Sequence, residues 1–234
     1  MRLTKALWSN GVALAIIVGV LALIVRANHH HGQPARNDLN VLGAPATSRD
    51  GLRQTVDAAQ RRLRQHPTDA SSAVALADAL LRQARVSGNA GLAVAAEQAL
   101  TPVLRDEPLE YEARRMLGAV YLSQHRFREA IREAERARDQ RPRDDWNYGV
   151  MGDGYLELGE YDEAFAAFQR MMDLRPTAAA YARAAYALEL RGRLDAALNA
   201  MRLSIDATAP SDSESIAWHH AQIGDLYRQM GRLE

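Results

Sequence analysis

Hydrophobic positions along the chain fall into two regimes. Residues 6–25, "ALWSNGVALAIIVGVLALIV", are apolar almost without interruption, with Ser9 and Asn10 as the only polar breaks. Beyond residue 51 apolar and polar residues instead follow a helical rhythm, as in the amphipathic stretch "LRQTVDAAQRRLRQHP" that ends at Pro67. That rhythm, with Ala, Leu, Arg and Glu abundant and few Val or Ile runs outside the N-terminus, predicts an all-α protein. Between the two regimes residues 27–50 are polar, broken by Gly32, Pro34, Gly43 and Pro45, and have no period. They read as a flexible linker, and about 24 such residues have a root-mean-square span of roughly 25–30 Å.

The apolar segment is long enough to matter. Twenty helical residues rise about 30 Å, the thickness of a hydrocarbon core. Arg2, Lys5 and the α-amino group precede it and Arg26 follows it. This small cationic excess on the leading side favours an inside N-terminus with the remaining chain exported. Residues 1–26 are expected to form a single-pass transmembrane signal-anchor. The competing reading is a signal peptide cleaved near Val25-Arg26-Ala27, which releases the rest to the periplasm. Both place residues 27–234 outside the cytoplasm.

The helical region repeats itself. In "EARRMLGAVYLSQHRFREAIREAERARDQRP" and "NYGVMGDGYLELGEYDEAFAAFQRMMDLRP", Gly118 matches Gly152, Tyr121 matches Tyr155, Ala130 matches Ala164 and Pro142 matches Pro176, each at an offset of 34 residues. Each type has a packing reason. Glycines at 118 and 152 let two helices approach closely, the tyrosines fill the space one turn later, the alanines are the small residues on the facing helix, and the prolines end that helix. This pattern resembles the tetratricopeptide repeat (TPR), a pair of antiparallel helices, A and B, per 34 residues.

The resemblance extends over residues 71–234 and implies a TPR-type α-solenoid at 51–234. It contains a capping helix at 51–67, units at about 70–110, 111–144, 145–177 and 178–216, and a partial unit at 217–234. The outer copies are looser. Leu188 stands where Tyr would in the 178–216 unit, and Pro102 lies inside the second helix of the first unit, where a kink is expected. In the last unit Gly224, Tyr227 and Gly231 are in register with Gly152, Tyr155 and Gly159, but only Arg232 to Glu234 of a second helix follow. Because a helix pair buries its apolar face on its neighbours, Ile223, Leu226 and Tyr227 are expected to face a missing partner. The chain is then a piece of a longer solenoid, or another protein covers its end.

Composition removes several chemistries. There is no Cys, hence no disulfide, thiolate metal site or cysteine nucleophile, and the formal net charge of +0 argues against a nucleic-acid binder. No HExxH, GxSxG, P-loop or EF-hand loop occurs. Gly149, Gly152 and Gly154 imitate a phosphate loop but fall inside a helix, where close packing explains them. His29, His30 and His31 are a weak metal candidate on a polar linker. His219 and His220 point about 100° apart on one helix, a poor chelating pair, so one is expected in the core and the other in solvent. No cofactor, no metal and no enzymatic activity are expected.

The informative surface in a TPR stack is the groove lined by the A helices. Counting from Gly118, Gly152, Ala185 and Gly224, the partner-binding candidates are Arg115, Trp146, Asp153, Arg183, Tyr186, Trp218, Asp225 and Arg228. Ala119, Leu156, Glu189, Gln222, Asp78 and Arg82 fall beside them. Arginines among aromatics suit a protein or peptide segment. The Lys and Asn set with which the family's chaperone-tail clamp holds a C-terminal carboxylate is missing. Charge also alternates, 9 Arg against 6 acids over 111–144 and 2 Arg against 7 acids over 145–177. Ion pairs between neighbouring units explain this pattern, and so does a polarised binding surface. The expected function is a membrane-anchored TPR adaptor for envelope or complex assembly. Its rival is the regulatory or substrate-binding TPR arm of a larger enzyme.

Overall fold

The computed structural model describes residues 49–232. The apolar segment, the three adjacent histidines and the linker up to residue 48 lie outside the described residues. Among the described residues all regular structure is helical, and no helix is long and apolar enough to cross a membrane.

Ten helices follow one another: α1 (Arg49–Gln65), α2 (Ala70–Ser87), α3 (Gly91–Asp106), α4 (Tyr111–Ser123), α5 (Phe127–Gln140), α6 (Asp145–Glu157), α7 (Tyr161–Leu174), α8 (Ala178–Glu189), α9 (Leu194–Asp206) and α10 (Ser213–Gln229). Helices α2 to α9 form four hairpins, with α2, α4, α6 and α8 as the first members. Their N-termini are set locally. Glu110, Asp144, Thr177 and Asp212 accept the backbone N–H of Ala113, Trp146, Ala180 and Ser215 and so cap α4, α6, α8 and α10.

One turn recurs inside the hairpins. Arg126, Glu160 and Arg193 each donate a backbone N–H to the carbonyl five residues earlier, on Tyr121, Tyr155 and Leu188, at 2.9 Å. Arg232 does the same to Tyr227 after α10. The geometry needs one residue at positive φ, supplied by Gly159, Gly192 and Gly231, but by His125 at φ 57° in the α4–α5 turn. Helix α3 runs through Pro102 as one continuous element.

The core is a series of clusters, each shared by neighbouring hairpins. Leu52 and Ala59 of α1 are buried and Val56 and Leu63 partly so, while Arg53, Asp57, Ala58, Arg61 and Arg64 face outward. Helix α1 therefore covers α2 with its apolar stripe and closes the stack with a polar face. The central glycines are tight. A Cβ on Gly152 would fall on the Phe168 ring, and one on Gly154 would stand 2.7 Å from Ile131 Cγ1. Gly149 is 3.1 Å, measured the same way, from Met171 Sδ. Helix packing thus accounts for all three.

The far end corrects the sequence reading. Leu226 does not face a missing partner. It is 1% exposed within a cluster with Ala182, Leu188, Ala197, Leu198 and Met201, and Ile223 and Tyr227 pack against the same cluster. An A helix has two packing sides. The Leu, Ile and Tyr side of α10 goes to the preceding hairpin, and among the described residues no atom lies within 4 Å of a Cβ placed on Gly224.

His219 locks this junction. It is buried, with Nε2 2.9 Å from Ser204 Oγ, and Ser204 in turn donates to the Ala178 carbonyl. With its own proton given to Ala178, the Ser204 hydroxyl accepts from His219, which therefore carries a proton on Nε2. His220 is exposed. Burial holds the His219 pKa below its ordinary value, with Asp212 opposing and His220 adding to the shift. The unfolded chain binds this proton more readily, so stability falls as pH drops through about 6.5 towards the folded value. Melts of His219→Gln should lose that part of the acid slope. An unchanged slope would show that other groups carry it.

Candidate functional site

The first helices of the hairpins form one wall. Helices α2, α4 and α6 pack in sequence, Arg183 of α8 reaches Asp153 of α6, and Gln229 of α10 donates to Glu189 of α8 at 2.6 Å. Arg85 near the end of α2 comes within 3.5 Å of Glu214 at the start of α10. Two helices at opposite ends of the series meet only if the array curves towards this wall. The A helices therefore line its inner side.

On the wall the candidates separate into local sets. Arg115 lies 4.5 Å from the centroid of the Trp146 ring, and its Nε is 3.1 Å from Asp144 Oδ2. Asp144 is a hub that sequence reasoning missed. It caps α6 through Trp146 N–H and also accepts the Tyr111 hydroxyl at 2.7 Å. Burial, then the Asp144 hydrogen bond, pushes the Tyr111 pKa up, although Asn147 also donates to this hydroxyl at 2.9 Å. The sequence signal was Asp144 itself, an acid at the N-cap position before a repeat helix. The adjacent Arg114 turns away, into the α4–α5 hairpin, and ion-pairs with the buried Glu133.

Asp153 and Arg183 form a two-pronged pair, Nε to Oδ1 at 2.9 Å and Nη2 to Oδ2 at 2.5 Å. Burial disfavours the Arg183 charge, but Asp153 more than offsets it and the pKa rises. Tyr186 is 44% exposed. Partial burial raises its hydroxyl pKa first, then the nearby Glu157 and Glu189. On α10, Arg228 holds Asp225 at 2.6 Å, and Trp218 is 49% exposed with its edge against His219. Trp218, Asp225 and Arg228 are thus a separate group on the last helix, not brought into contact with Arg115 or Trp146.

Charges pair both within and between the repeat units, and Arg128 meets Glu160 at 3.9 Å across the basic and acidic units. Arg126 meets Glu97 at 2.9 Å, Arg141 meets Glu112 at 2.9 Å and Arg175 meets Asp145 at 3.3 Å. Among the described residues no cluster of three or more His, Cys, Asp or Glu could hold a metal ion.

A family model described as "Tetratricopeptide repeat" matches residues 90–145 and 150–212, which together make up just over half of the chain. The chain belongs to the tetratricopeptide repeat family. A TPR architecture also appears in the solved structures it is similar to. A thermophilic TPR protein of Thermus thermophilus aligns with TM-score 0.62 and 21% identity over 74% of this chain and 90% of that one. MamA aligns with TM-score 0.51 and 20% identity over 68% and 89%. The APC/C hetero-tetramer Cut9–Hcn1 gives TM-score 0.64 and 15% identity over 77% of this chain and 34% of that one. At these identities the likeness is one of fold. No curated protein matches the sequence.

Proposed function

We propose that this TPR chain is a non-enzymatic adaptor that holds a segment of a partner protein along its inner wall, anchored to a membrane by residues 1–26 and facing the periplasm. One observation carries the choice of ligand. The arginines on the wall already have carboxylate partners, Asp144 for Arg115, Asp153 for Arg183 and Asp225 for Arg228, while Trp146, Tyr186 and Trp218 remain exposed. A wall with neutralised charge and partly exposed aromatic rings suits apolar and aromatic side chains of an extended segment. It gives little grip on an acidic tail, which needs free guanidinium groups.

Anchoring rests on the apolar run at 6–25 and its flanking cations. Fractionation with a protease-accessibility assay tests it, and a mature N-terminus at Asn28 would replace the anchored form by a released periplasmic one.

The groove is tested by the double variant Trp146→Ala with Tyr186→Ala, in a crosslinked pull-down from native membranes. Exposed aromatics at such positions typically contribute about 1–3 kcal/mol each, so recovery of partners should fall at least tenfold while circular dichroism stays unchanged. Recovery of the same partners in the same amounts would show that this wall is not the binding surface.

A further inference from the structure

The junction between α7 and α8 lacks a side chain that the two junctions before it have. The recurrent turn fixes the equivalence, because the carbonyls of Tyr121, Tyr155 and Leu188 each accept the backbone N–H five residues on. Tyr121 packs on the core shared with α3, and Tyr155 on the core shared with α5. Tyr155 also donates its hydroxyl to Glu135 of α5 at 3.4 Å. Leu188 has neither the ring nor the hydroxyl. A cleft remains between α7 and α8, lined by Phe165, Phe168, Met172, Ala184, Leu188 and Arg191. Phe168, Met172, Ala184 and Leu188 are buried at its floor, while Phe165 and Arg191 are partly exposed at its mouth.

Two polar groups frame this cleft. Gln169 stands at the register of Glu135 and belongs to the lining. Its amide N–H donates to Asp173 at 2.8 Å, which leaves the amide oxygen as an acceptor. The Arg191 guanidinium lies 4.0 Å from the centroid of the Phe165 ring. Among the described residues it has no ion-pair partner. Burial lowers its pKa, and Asp162 opposes this only from a distance. Arg115, Arg183 and Arg228, by contrast, each have a carboxylate at hand. Tyr161, 51% exposed, stacks against Phe165 and carries the aromatic surface outward from the mouth.

We infer that the α7–α8 cleft is a binding slot for one aromatic side chain, a tyrosine within an acidic segment of a partner protein. Its ring takes the place that Tyr155 takes one junction earlier, against Phe168 and Leu188. Its hydroxyl donates to Gln169, as that of Tyr155 does to Glu135. A carboxylate beside the tyrosine meets Arg191, a partly desolvated cation that lacks one. Shape thus selects the ring and charge selects its neighbour. The slot uses none of the residues assigned to the inner wall, so it stands or falls independently of what that wall binds.

The test uses the full chain in mild detergent and a short fluorescent peptide, blocked at both ends, with one tyrosine between two glutamates. Its Kd should be about 0.1–1 mM by anisotropy, and replacing the tyrosine by alanine should weaken binding at least about tenfold. Leu188→Tyr should fill the slot from within. It should melt no lower than the parent and bind the peptide at least about tenfold less tightly. Arg191→Gln should keep the dependence on tyrosine but lose the preference for glutamates over glutamines. A clearly lowered melting temperature for Leu188→Tyr would show that no vacant space exists there. Undiminished binding by that variant, equal binding of the alanine peptide, or no binding up to about 5 mM would overturn the slot. Equal affinity of the parent for a glutamine peptide would overturn the role of Arg191. Loss of binding in Trp146→Ala would place the peptide on the inner wall instead.

Discussion

Replacing Gly152 by Leu is expected to cost this protein about 3 kcal/mol or more, a large part of the roughly 5–15 kcal/mol that holds a domain of this kind together. The reason is local and specific. Gly152 lies on α6 directly against the ring of Phe168 on α7, and a Cβ alone would already stand on that ring. Phe168 is 5% exposed among packed neighbours, so the ring can yield only by leaving its packed position against α6. A chain of this length should melt roughly 6–12 °C lower. Trp146→Ala, which loses only the contact with Arg115 on the groove side of the same helix, should change stability by about 1 kcal/mol. The overlap can also be relieved from the other side. Phe168→Ala alone should cost about 3–5 kcal/mol through the cavity it leaves. Combined with Gly152→Leu it should cost clearly less than the sum, because the new side chain fills that cavity. An unchanged melting temperature for Gly152→Leu would show that the two helices do not meet at this point, and the register of the repeat would fall with it.

That register was the most legible property of the sequence, for a physical reason. Gly118 and Gly152, Tyr121 and Tyr155, and Pro142 and Pro176 are constrained by contacts inside one hairpin or with the next, so they recur at a fixed offset. The wall was less legible. Positions alone place Asp153 and Arg183 on first helices, but their two-pronged pairing depends on how one hairpin is rotated against the next, which no local pattern encodes. For the same reason a set of arginines that looked available to a partner turned out to be paired. Asp144 was overlooked because an N-cap acid reads as local chemistry, yet its second carboxylate oxygen reaches Tyr111 and Arg115 on the preceding helix. The open end was misjudged through counting one packing side of α10 where there are two. Leu226 belongs to the preceding hairpin, while Gly224 lies on the other side, where no described atom comes within 4 Å of its Cβ position.

Leu226→Ala is expected to separate the end of the stack from its middle. Leu226 is 1% exposed, and truncating such a side chain costs about 2–5 kcal/mol. In a linear stack that cost is borne by the nearest neighbour contacts, and the apolar packing of α10 is with the hairpin before it. The helix should therefore undock without carrying the rest. Amide hydrogen exchange should accelerate across residues 213–229, by about a hundredfold for a loss of about 2.8 kcal/mol, while α4 to α7 keep their protection. The main melting transition should move by only about 1–2 °C, because it reports the central hairpins. Undocking also returns the His219 ring to water, so the acid slope assigned to it should disappear in this variant. Equal loss of protection in α4 to α7 would mean that the ten helices open as one cooperative block. The end helix would then be part of a single core.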